Sequence, residues 1–154
     1  MSADSAALDE IRESFAWFDS WEDKYRFVID LGKALPELPD TYKVPENLVR
    51  GCQSQVWLLS QLTDGRLRLR IDSDAHIVRG LIAIVLAAYQ NRPPAEIRAF
   101  DTEALFDELD LIRHLSPTRG NGLRAMVERI RREAARADDD KSTAPAAGNA
   151  AAGA

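Results

Sequence analysis

Apolar residues recur near the start of the chain with the period of a helix. Leu8, Ile11, Phe15 and Phe18 fall three or four positions apart, with Asp9, Glu10, Arg12 and Glu13 between them, so one stripe is apolar and the rest charged. A second helix is predicted to follow at once. Asp19 is placed to accept from the amides of its first turn, Glu22 to reach back, and Tyr25, Val28, Ile29 and Leu35 to carry its apolar face. Pro36, Pro39 and Pro45 then exclude helix, because each lacks an amide donor and pushes its predecessor out of the helical region.

The period then changes to two. Val56, Leu58, Ser60 and Leu62 alternate with Gln55, Trp57, Leu59 and Gln61, Asp64-Gly65 is a strong hairpin signal, and Leu67, Leu69 and Ile71 alternate with Arg66, Arg68 and Arg70. A two-residue turn pairs position 62 with 67 and 58 with 71, which gathers Val56, Leu58, Leu62, Leu67, Leu69 and Ile71 on one face. Asn47 to Arg50 is long enough for a short third strand. From Ala75 to about Gln90 the chain is apolar nearly all round, so this stretch is expected to be the central helix packed on the sheet, capped by Ser73 or Asp74. Shorter helical pieces are predicted at 94–97 and 102–109, and Leu123, Met126, Val127 and Ile130 mark a last helix. The pattern predicts an α+β fold, a small antiparallel sheet of about three strands packed against helices. Residues 1–137 form the predicted domain. The low-complexity stretch 138–154, which has no large apolar residue to bury, is expected to be a disordered tail.

Composition narrows the function classes. The 154 residues carry 25 acidic and 20 basic side chains, a formal charge of -5, which argues against nucleic acid as a partner of the whole surface. Arg66, Arg68 and Arg70 share a strand face with Trp57 and Leu59, and this is read as a solvated face or a protein-docking patch. The N-terminal residues lack the basic-then-apolar order of a signal peptide, and the most apolar segment, 77–89, is interrupted by Arg79 and too short for a bilayer. No membrane association and a cytoplasmic location are therefore expected.

Cys52 is the only cysteine. It follows Gly51 and precedes Gln53-Ser54-Gln55, the setting of a loop tip, whereas a free structural cysteine is usually a small core hydrophobe in an apolar run. With no second thiol, any sulfur chemistry must involve an atom brought by another molecule. His76 and His114 lie too far along the chain from each other and from Cys52 to resemble close-spaced zinc ligands, so no metal site is expected. Asp107, Glu108 and Asp110 are read as exposed acids.

Several blocks together carry a family resemblance. Gly51-Cys52-Gln53-Ser54-Gln55-Val56-Trp57, Asp72-Ser73-Asp74 with Ile77-Val78-Arg79-Gly80-Leu81, and His114-Leu115-Ser116-Pro117-Thr118-Arg119 with Asn121-Gly122-Leu123 resemble the SufE family of sulfur acceptors, as do Trp21-Glu22-Asp23-Lys24-Tyr25 and Leu35-Pro36-Glu37-Leu38-Pro39. Thr118 stands where many members carry serine. The resemblance spans roughly residues 8 to 135 and implies a SufE/IscU-like fold. It also implies a sulfur acceptor and activator of a SufS-type or CsdA-type cysteine desulfurase, carrying persulfide sulfur on Cys52 to an iron-sulfur scaffold complex. Such a chain needs no cofactor of its own, the pyridoxal phosphate belonging to the desulfurase, and is a sulfur-transfer partner rather than a stand-alone enzyme. The resemblance also places Arg119 beside the cysteine loop, where it would stabilise a thiolate or persulfide, and gives Gly51, Gln53 and Asp74 roles in shaping the loop or meeting the partner. Two alternatives stand beside this reading. An IscU-like iron-sulfur or zinc scaffold is disfavoured by the single thiolate, and an adaptor that binds the desulfurase without carrying sulfur is distinguishable by replacing Cys52.

Overall fold

The computed structural model describes residues 3–143. Helices α1 (Ala3–Trp17) and α2 (Trp21–Lys33) open the chain, followed by an irregular segment with short 3-10 turns at Asp40–Tyr42 and Pro45–Asn47. Strands β1 (Val56–Thr63) and β2 (Arg66–Ser73) form the hairpin. Then come α3 (His76–Tyr89), α4 (Pro94–Ala99), α5 (Thr102–Glu108) and α6 (Pro117–Thr143).

The α+β class is as the alternation predicts, and so is the hairpin register. Leu62 lies opposite Leu67 and Leu58 opposite Ile71, with Asp64 (φ 53°) and Gly65 (φ 75°) making the left-handed turn. Val56, Leu58, Leu67, Leu69 and Ile71 are buried against α3, whose Leu81, Ile82, Ile84 and Val85 are fully enclosed. Helix α2 crosses α3 at Gly80. A side chain there would bring its Cβ to 2.0 Å from the Val28 carbonyl oxygen, so glycine is what permits the approach.

Three expectations need correction. The sheet has two strands among the described residues; the stretch 47–50 contributes one bridge, Leu48 to Trp57, with the Val49 amide donating to the Val56 carbonyl at 2.8 Å. The Pro45–Asn47 turn bends the chain just before these residues and Gly51 turns it just after, leaving too little extended backbone for a strand. Helix α2 is capped by Ser20, not Asp19: the Ser20 hydroxyl accepts from the Asp23 amide at 3.1 Å, and Glu22 pairs with Arg26. The last helix continues to Thr143, past the boundary drawn at residue 137. Asp138, the first residue of the stretch expected to be a disordered tail, is held by Arg98 of α4. The rest of the predicted tail, 144–154, lies outside the described residues.

Both faces of the hairpin are used at the end near Cys52. Asp72 and Trp57 point away from the core, yet both are buried, because the segment after α2 folds over them. The Asp72 carboxylate accepts from the amides of Leu38 (2.9 Å) and Ser73 (2.8 Å) and pairs with Arg79, which also donates to the Leu35 carbonyl. Lys43 lies over the Trp57 ring, 5.1 Å from its centre. This cluster anchors the proline-rich segment that leads into the cysteine loop. No helix among the described residues is long and apolar enough to cross a membrane.

Candidate functional site

The loop carrying Cys52 is pinched at its base. The Val49–Val56 backbone bond closes one side; on the other, Gln55 and Asp74 bond reciprocally, the Gln55 amide donating to the Asp74 carboxylate (3.2 Å) and the Asp74 amide to the Gln55 carbonyl (3.4 Å). Between these ties Gly51 adopts φ +93°, a left-handed conformation that other residues rarely take. A Cβ on Gly51 would sit 3.3 Å from that of Ala125 on α6, so the loop lies directly on that helix.

Cys52 therefore rests against α6 as well. Its thiol donates to the Gly122 carbonyl at 3.4 Å, and the absent side chain of Gly122 leaves room beside the sulfur: a Cβ there would lie 3.5 Å from Sγ. The thiol is half-buried, and burial pushes its pKa up because the thiolate would lose hydration. In this position Cys52 favours the neutral, weakly nucleophilic form.

The space beside Sγ is a small cleft of about 40 Å³. Val56, Val78, Leu81, Leu123 and Met126 supply apolar walls, and Gln53, Ser54, Ser116, Thr118 and Arg119 line it as well. Ser116 immediately precedes α6, its hydroxyl accepting from the Arg119 amide at 3.2 Å. That cap fixes the backbone from which the Arg119 side chain reaches the cleft. No described carboxylate pairs with Arg119, so its charge is left for the cleft.

The structure thus brings Cys52, Gln53 and Arg119 to one cleft, with Gly51 turning the loop. Asp74 ties the loop base through Gln55 but does not cap α3, whose first residue is preceded by Ala75 without a side-chain cap; the Ser73 hydroxyl accepts from the Ala75 amide instead. His76 is exposed, and His114 stacks on Trp21, ring centres 4.5 Å apart. Neither histidine lines the cleft. Two contributors escaped the sequence reading. Gly122 faces the sulfur with its carbonyl, and Asp72 anchors the proline-rich segment from within. The uncharged Gly122 carried no chemical signal, and Asp72 was legible only as a family match.

A small α+β domain that shelters one thiol between a glycine loop and a helix is the class this geometry defines. The chain matches the SufE family, an Fe-S metabolism associated domain, over residues 9–134. It is 52% identical over 133 residues to a SufE-like protein of Rhizobium etli, covering 84% of this chain and 90% of that protein. With a SufE-like protein of Rhizobium meliloti it shares 50% identity over 132 residues, 83% of this chain and 94% of the other. The solution structure of a hypothetical protein from Thermus thermophilus has the same fold, with a TM-score of 0.69 at 17% identity, over 85% of this chain and 95% of that one. The chain belongs to the SufE family. Its role accordingly lies in sulfur transfer linked to a cysteine desulfurase.

Proposed function

We propose that the protein accepts sulfur as a persulfide on Cys52 from a SufS-type or CsdA-type cysteine desulfurase, activates that enzyme by relieving it of product, and passes the sulfur to an iron-sulfur scaffold in the cytoplasm. The observation that carries this reading is the placement of the sole thiol, half-buried on a glycine-turned loop beside Arg119. A core cysteine would have no cleft beside its sulfur and no cation among the residues that line it.

The transfer step balances without a redox partner. Cys52 gives up its proton and the thiolate attacks the outer sulfur of the donor persulfide. A new S–S bond forms at Cys52 as the donor's S–S bond breaks, and the donor cysteine leaves as a thiolate that takes up a proton. With burial holding the thiol neutral, the loop moves outward for the attack, pivoting at Gly51, and Gln53 and Asp74 guide its path. On return, the apolar walls keep water and reductants from the bound sulfur while Arg119 stabilises the persulfide anion. With no second cysteine, nothing within the chain attacks the new persulfide and releases its sulfur.

Incubation with a desulfurase and free cysteine, followed by intact-mass measurement, tests the assignment. The wild type gains one sulfur atom, removable by dithiothreitol; Cys52→Ser folds, gains nothing and fails to stimulate the desulfurase. If Cys52→Ser stimulated fully, the protein would be an adaptor that carries no sulfur. Cys52-dependent metal bound near one ion per chain would favour the scaffold reading.

A further inference from the structure

The outward face of the hairpin carries a charge pattern that sulfur transfer does not use. Arg66, Arg68 and Arg70 are all exposed, and the residues opposite them on β1 are the uncharged Thr63, Gln61 and Leu59. The next position on this face, Asp72, is buried and already paired, so it neutralises none of the three. No ion pair to a described carboxylate involves any of these arginines. Arg66 donates to the Asn91 carbonyl (3.0 Å), Arg70 lies over the Tyr42 ring (5.1 Å), and the Arg68 side chain makes no contact of either kind. A groove of about 640 Å³ runs across this face, lined by Tyr42, Leu59, Gln61, Arg68, Arg70 and Asn91 among others.

We propose that this groove is a docking surface for an extended acidic segment of the sulfur-donating desulfurase, a proposal that rests on the function assigned above. Alternate residues of a strand repeat at roughly 6.6 Å, so the three guanidiniums form a row of about 13 Å. An extended peptide with carboxylates at alternate positions presents the same spacing, and Leu59, opposite Arg70 on β1, gives the groove an apolar wall. The rest of the chain carries a net negative charge, -5 overall. An acidic partner is therefore repelled elsewhere and steered to this face. The row runs from Arg66 at the hairpin turn to Arg70, three residues short of the strand end at Ser73 that pairs with Val56, so an extended partner that follows the row past Arg70 approaches the loop that carries Cys52. A nucleic acid fits less well: Tyr42 is already covered by Arg70, which leaves no free aromatic ring in the groove for bases to stack on.

The test is desulfurase binding and transfer at low and high salt, with Arg66→Gln/Arg68→Gln/Arg70→Gln and Arg68→Glu beside the wild type. The triple variant should bind about tenfold more weakly at low salt and lose most of the salt dependence of affinity. Its single-turnover transfer at saturating concentration should match the wild type, because Cys52 and its cleft are untouched. Arg68→Glu removes no contact within the fold, and should weaken binding about threefold or more even if the triple variant folds poorly. Unchanged affinity and salt slope in both variants overturns the proposal. So does unchanged desulfurase affinity with loss of binding to a single-stranded oligonucleotide, which would assign the face to nucleic acid. A wild type that binds with the expected salt dependence yet gains no sulfur sinks the acceptor reading and leaves the docking surface standing.

Discussion

Gly122→Ala separates the stability of the fold from the shelter of the sulfur, because the two respond in opposite directions. Gly122 lies in the second turn of α6, where replacing glycine by alanine favours the helix by up to about 1 kcal/mol. The new methyl would stand 3.5 Å from Cys52 Sγ, 3.7 Å from its Cα and 3.8 Å from its Cβ, ordinary contact distances that cost nothing in the unloaded protein. The melting temperature should therefore rise by roughly 2–4 °C. The same methyl takes up much of the cleft of about 40 Å³ into which a second sulfur must fit. Overpacking of this kind costs about 1–3 kcal/mol, and each 1.4 kcal/mol is about tenfold in an equilibrium. The sheltered persulfide should thus be disfavoured about tenfold, read as a shorter lifetime of the sulfur adduct against a fixed concentration of dithiothreitol by intact mass. A general folding defect lowers both quantities together. An adduct as long-lived as that of the wild type refutes the cleft as the sulfur's shelter, and a fall in melting temperature refutes the packing argument.

Two further outcomes follow from the buried groups. Asp72→Asn breaks the pairing with Arg79 and leaves that guanidinium half-satisfied, at a cost of about 3 kcal/mol measurable by urea unfolding; an effect below about 1 kcal/mol would mean that the carboxylate does not anchor the proline-rich segment. Because burial raises the Cys52 pKa, the folded protein should alkylate with its half-maximal rate at a higher pH than the urea-unfolded chain. The linked stability has a definite sign: the unfolded thiol releases its proton first, so this contribution is intact below the ordinary thiol pKa and is lost as pH rises toward the folded value. Cys52→Ser should remove that slope, and an identical slope in Cys52→Ser would show that other groups produce it.

What the sequence disclosed, and what it withheld, divides along physical lines. The hairpin was legible to the residue because a two-residue alternation with an Asp-Gly turn allows one register without turning every apolar side chain outward. Helix ends were less so: Asp19 and Ser20 are both good caps, and the choice depends on where the preceding helix stops. The missing third strand reflects local backbone turns on either side of 47–50, the 3-10 turn at Pro45–Asn47 and the left-handed Gly51, whereas the longer α6 meets a neighbour remote in sequence, Arg98 on α4. The site divides the same way. Cys52 could be singled out by its isolation and its glycine, and Arg119 by family resemblance, but the Gly122 carbonyl becomes visible only once α6 is laid against the loop.

The 70 positions between Cys52 and Gly122 also set an order of events during synthesis. At about 5–20 residues per second the ribosome needs roughly 4–14 s to add them. For that interval the thiol has left the peptidyl-transferase centre while the helix that shelters it has yet to be made. The newborn chain therefore carries a cysteine open to any oxidant or stray persulfide it meets on leaving the exit tunnel, and the finished protein alone controls which sulfur it accepts.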